Sequence, residues 1–151
     1  MKARNLVVGA SIALCMGATG GTKEAFAVTF DQTNLVADNA SFGATFVDPN
    51  LVNAWGMSIS SGGGIWISSS AKGLTTIYDK TGKSLIPAVT IPPAVAGNPG
   101  LPTGQVFNTT TDFAASKFIF AGADGIISAW TSGSTAVKVA DRSTLVPNTP
   151  A

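Results

Sequence analysis

Histidine is absent from the 151-residue chain, and its one cysteine and one glutamate are Cys15 and Glu24. Of the residue types that usually do acid-base or metal chemistry, the chain beyond residue 27 offers only aspartates. A general base is usually His, Glu or a perturbed Asp, so the Ser-His-Asp triad and imidazole-metal sites are excluded within this polypeptide. The most oxygen-rich stretch is Asp48-Pro49-Asn50-Leu51-Val52-Asn53. Asp48, Asn50 and Asn53 could offer oxygens to a hard cation such as calcium, which takes about six to eight of them. Asp-Pro-Asn is also ordinary turn chemistry, in which side-chain oxygens accept from nearby backbone amides, and the turn is the better reading. Thr81-Gly82-Lys83 ends like a phosphate-binding loop but lacks the glycine-led run before it and the helix after it. It reads as a hairpin loop with Gly82 in the left-handed position. No metal, cofactor or catalytic constellation is expected.

Charge narrows the partners. The first residues have the three parts of a secretory leader: Lys2 and Arg4, an apolar run from Leu6 to Ala18, and Ala25-Phe26-Ala27 at the cleavage positions. The apolar run is short and holds Gly9 and Gly17, whereas a spanning helix needs about 20 apolar residues, so a stable membrane span is disfavoured. Cleavage after Ala27 would leave a secreted, extracytoplasmic chain without thiols. It would carry six cations against seven aspartates, a net charge of −1. Nothing in that composition follows a phosphate backbone, so no nucleic acid is expected as partner.

The elements that must position these residues read as short strands. Gly73-Leu74-Thr75-Thr76-Ile77-Tyr78 matches Gly125-Ile126-Ile127-Ser128-Ala129-Trp130 position by position. Upstream, Trp55-Gly56-Met57-Ser58-Ile59 corresponds to Thr103-Gly104-Gln105-Val106-Phe107, and Gly64-Ile65-Trp66-Ile67 to Lys117-Phe118-Ile119-Phe120. A repeat of roughly fifty residues, with about four short strands and no helix, has the spacing of a β-propeller blade. The fold class is all-β. Two four-stranded antiparallel blade units are expected over residues 50–93 and 103–146 of a domain spanning 28–151. Val28-Thr29-Phe30 and Thr33-Asn34-Leu35-Val36 form a leading extended segment. Ala88 to Ile91 is expected as the fourth strand of the first unit, ended by Pro92 and Pro93. Trp55, Trp66, Tyr78 and Trp130 are expected to pack between blades; a platform for a sugar ring would use the same residue types exposed. Two units cannot close a ring that needs at least about four blades, so the chain is expected to be the N-terminal portion of a longer propeller or to self-assemble.

Several ordered motifs also resemble a known family. They are Asp48-Pro49-Asn50-Leu51-Val52-Asn53-Ala54-Trp55-Gly56, Thr76-Ile77-Tyr78-Asp79, Val89-Thr90-Ile91-Pro92-Pro93, and Pro102-Thr103-Gly104-Gln105-Val106-Phe107-Asn108. Phe118-Ile119-Phe120 and Asp124-Gly125-Ile126-Ile127-Ser128-Ala129-Trp130 continue them. Together they resemble uncharacterised exported bacterial proteins with a six-bladed, NHL-like β-propeller, some of which carry a PEP-CTERM sorting tail. The resemblance implies fold and export but no activity. The functional expectation is a binding or scaffold module whose loop residues Asp48, Asn50, Asn53 and Thr103 face a protein, small-molecule or glycan ligand. The alternative is part of a propeller-type hydrolase or lyase whose metal or catalytic residues lie in blades outside this chain.

Overall fold

Runs of β-branched and aromatic residues, broken every five to seven positions by turn residues, fold here as strands and nothing else of any length. The computed structural model describes residues 30–145. The expected leader over residues 1–27, with Cys15, lies outside the described residues, as do Val28, Thr29 and Val146. The chain divides into two compact units, residues 1–31 and 32–151; of the first only Phe30 and Asp31 are described, and all the elements below belong to the second.

The described residues are all-β. Strands β1 (Val36–Ala37) and β2 (Phe46–Val47) pair in parallel as a small two-stranded sheet. Strands β3 (Ala54–Ile59), β4 (Ile65–Ser69), β5 (Leu74–Tyr78) and β6 (Ser84–Thr90) form a four-stranded antiparallel sheet in chain order. Strands β7 (Pro102–Phe107), β8 (Phe118–Gly122), β9 (Ile126–Trp130) and β10 (Val137–Asp141) form a second sheet with the same order and direction. The aligned segments of the sequence repeat thus coincide with β3 and β7, β4 and β8, and β5 and β9.

Alternation decides what each strand buries, because successive side chains point to opposite faces. Trp66, Ile77 and Val89 of the first sheet meet Phe118 and Phe120 of the second, with Ile91 and Ala136 beside them and Phe107 and Trp130 at the margin. The Trp66 and Phe118 rings stack with centroids 3.9 Å apart, and Trp130 tilts onto Trp66 at 4.8 Å. Such pairs contribute about 0.5–1.5 kcal/mol each beyond the area they bury. The sheets approach most closely at their leading strands. A Cβ on Gly56 would lie 2.5 Å from the Thr103 carbonyl oxygen, so only glycine allows that approach. Gln105 bridges the same gap: its amide donates to the Gly56 carbonyl at 3.1 Å and to the Trp66 carbonyl, while its oxygen accepts from Thr75 Oγ1 at 3.1 Å.

The central pairs β4–β5 and β8–β9 run in unbroken register. Every pairing that involves an outer strand of either sheet, β3, β6, β7 or β10, contains a register shift.

Three expectations need correction. The fourth strand begins at Ser84 rather than Ala88 and carries Pro87 within it; β6 is an edge strand, where a residue without an N–H is tolerated. A four-residue helical turn, Asp112–Ala115, appears where none was expected. Phe113, Ala114 and Ala115 hold φ near +55°, so it is a left-handed turn that helix-forming periodicity cannot signal. Of the leading segment's described residues only Val36 enters a strand, β1, because the chain folds back through a 3-10 turn at Ala40–Phe42 to pair β1 with β2.

Candidate functional site

The Asp48 loop leaves β2 as the Asx turn its sequence suggests. The Asp48 backbone N–H donates to the Ala37 carbonyl at 2.8 Å, and Asp48 Oδ1 accepts from the Asn50 N–H at 2.9 Å. Its second oxygen, Oδ2, accepts from the Tyr78 hydroxyl at 2.6 Å. Tyr78 ends β5 on the face turned away from the second sheet and is buried. Burial, and then the hydrogen bond to the Asp48 carboxylate, push the Tyr78 hydroxyl well above the ordinary tyrosine range, against an opposing contribution from Thr76.

Around this pair lies a groove of about 310 Å³. Val36, Phe46, Pro87 and Ala88 give it apolar walls, and Asp48, Asn50, Tyr78 and Ser84 give it polar atoms. Gly82 belongs to the hairpin loop read from Thr81-Gly82-Lys83. Its φ is +89°, and a Cβ there would come within 2.9 Å of the Leu35 Cβ, so the loop packs tightly under the leading segment. Asp79 Oδ1 holds that loop by accepting from the Thr81 N–H, the Thr81 hydroxyl and the Lys83 N–H, and these bonds hold its carboxyl below the usual range.

The expected loop residues divide. Asp48 and Asn50 line the groove together. Asn53 does not line it: at φ +53° it turns the chain into β3, with Oδ1 accepting from Trp55 Nε1 at 3.1 Å and its carbonyl accepting from the Ser70 N–H. Thr103 sits on β7, where Oγ1 donates to the Ala121 carbonyl at 3.2 Å. Among the described residues no three His, Cys, Asp or Glu side chains come together to hold a metal ion. Both Asp48 oxygens and the Asn53 oxygen are engaged as turn and strand acceptors, which is what the turn reading of this stretch requires. The residue missed as a site component is Tyr78. A buried tyrosine needs a partner for its hydroxyl, but nothing local points to a carboxylate thirty positions earlier in the chain.

The aromatic expectation also divides: Trp66 and Tyr78 are buried and Trp130 is half-buried, but Trp55 is 63% exposed. Among the described residues no helix is long and apolar enough to cross a membrane.

Comparison with known proteins revises the resemblance. No family model matches the chain. No solved structure matches it. It is similar to an uncharacterised protein of Acanthamoeba polyphaga mimivirus, 34% identical over 91 residues, which cover 60% of this chain and 22% of the viral protein. The chain thus spans about a fifth of that relative's length. Membership of an exported bacterial NHL-like family, read from the ordered motifs, is overturned by these findings: no family model recognises the motifs, and the relative found is viral. Short strands of β-branched and aromatic residues bounded by glycine turns suit small sheets generally, so they carry architecture better than ancestry.

Proposed function

We propose that the two sheets are blades of a β-propeller-type repeat and that the chain works as a binding module. Its ligand is an uncharged, hydroxyl-bearing small molecule or glycan held in the Asp48–Asn50–Tyr78 groove. Export, carried by the leader pattern of residues 1–27, belongs to the same proposal.

The observation that carries the binding reading is the fixed Asp48 carboxylate between a buried Tyr78 and the exposed Asn50 in a groove with apolar walls. A few placed polar groups on an otherwise apolar concavity are the usual form of a small-ligand site, and 310 Å³ lies at the small end of such sites, which run from about 300 to 1,000 Å³. No lysine or arginine lines the groove, so an anion has no counter-charge there. The blade reading is supported by the identical strand order of the two sheets and their close approach at β3 and β7, the arrangement that radial stacking of sheets needs.

The test is a titration with neutral mono- and disaccharides, followed by amide chemical shifts. Shifts confined to residues 46–50, 78 and 82–88, and abolished in Asn50→Ala, are expected. Shifts elsewhere, or none with any neutral sugar, would overturn the reading.

A further inference from the structure

The two sheets are equivalent but not equivalently covered. Trp55, Met57 and Ile59 align with Thr103, Gln105 and Phe107, and the second set packs on the first sheet. The first set is bare, with Trp55 and Met57 each 63% exposed and Ile59 56%. Conversely, Ser58 is covered and accepts from the Phe107 N–H, whereas its equivalent, Val106, is 54% exposed on the outer face of the second sheet. Each sheet therefore leaves open the face that its counterpart uses inside the chain.

We propose that a second copy of this chain covers these faces head to tail. The β3 stripe of one copy packs on the Val106 face of the next, repeating the contact that β7 makes with β3 internally. The geometry beside the stripe fits the same occupant. β1 and β2 lie over the β5–β6 side of the bare face, next to Tyr78 and Ala88, and leave Val47 52% exposed. On the receiving face, a groove of about 620 Å³ runs along the β9–β10 side, walled by Phe113, Ala129, Val137 and Val139. A copy seated by its β3 stripe brings β2, with the exposed Val47, to that groove. Strands β3, β4, β7, β8 and β9 contain no charged residue, so the β3 stripe and the Val106 face meet without an ion losing its water there, and the charges nearest the contact, Lys138 and Asp141 of β10 and Asp48 after β2, lie at its margin. Because the two faces differ, the contact is heterologous and continues into a ring or a chain of copies.

The test is light scattering on a sizing column with the full chain and two variants, Met57→Lys on the donating face and Val106→Lys on the receiving face. Far-UV circular dichroism checks that each variant is folded. At roughly 100 μM, where a micromolar contact is saturated, the wild-type chain should run as a multiple of the monomer mass and each variant as a monomer. An equal mixture of the two variants should give a one-to-one dimer and nothing larger, since one intact face of each kind remains. A monomeric wild type, an assembled variant, or a mixture that stays monomeric would overturn the proposal. Phe46 and Val47 also line the Asp48 groove, so the sugar titration is read on Met57→Lys as a monomer, which keeps failure of the assembly and failure of the binding reading distinguishable.

Discussion

Replacing Tyr78 with Phe removes one oxygen and leaves the ring's packing in place. That oxygen donates to Asp48 Oδ2 at 2.6 Å, the short distance of an O–H bonded to an ionised carboxylate. Hydrogen bonds to charged groups contribute about 1.5–3 kcal/mol to stability. Asp48 is only half-buried, so water can re-solvate part of the carboxylate, and the loss falls at the low end, about 1.5 kcal/mol. Urea unfolding followed by circular dichroism at neutral pH reads this as a lower midpoint at unchanged slope. The pH dependence gives a second, independent reading. The Tyr78 hydroxyl is raised by the folded structure above the value of about 10 that tyrosine has in an unfolded chain. Below pH about 10 both states keep the proton and the contribution is fully present; as pH rises further the unfolded state ionises first, and the contribution is lost. Tyr78 is the chain's one tyrosine, so tyrosinate absorbance reports it alone. The folded protein should resist ionisation past pH 10, and wild-type stability should fall more steeply there than that of Tyr78→Phe. Tyrosinate appearing at about pH 10 in the folded protein, or a variant as stable as the wild type, would refute the reasoning.

Two further substitutions probe the contact between the sheets. Gln105→Ala removes the bridge from the Gly56 and Trp66 carbonyls to Thr75 and should cost about 2 kcal/mol in urea unfolding, because groups buried at the contact lose their partners. Gly56→Ala puts a Cβ 2.5 Å from the Thr103 carbonyl and should destabilise by about 1–3 kcal/mol as the strands are forced apart. Its repeat equivalent Gly104→Ala, where the new Cβ meets only Ala121 Cβ at 3.8 Å, should cost measurably less.

The strands were legible because each carries its own signal. Leu74 to Tyr78 and Ile126 to Trp130 are glycine-led, β-branched and aromatic-ended, and both lie at the centre of a sheet. What was not legible depends on chain brought from far away. The hydroxyl of Tyr78 finds Asp48 only because the leading segment folds over the first sheet. Trp55 reads like Trp66 by type, yet their places in the alternation put them on opposite faces, one bare and one at the centre of the core. The extent of β6 is not legible from residue type, because the strand runs through Pro87, which an edge strand can carry on its solvent side. Asp48 and Asn50 were legible as a turn, and their placement in a groove followed from β1, β5 and β6, which no local pattern joins.

The register shifts have a consequence for solubility. A regular, flat edge strand exposes a row of unpaired amides and carbonyls that can template fibril growth. Here irregularity is confined to the four edge strands, while the two central pairs are undisturbed. Pro87 further interrupts the donor row of β6, and Lys138 places a charge on β10. A sheet protein this poor in charge, with large apolar side chains in the open, would otherwise be prone to amyloid-like stacking. Blunted edges leave side-by-side strand addition to the two four-stranded sheets unfavourable.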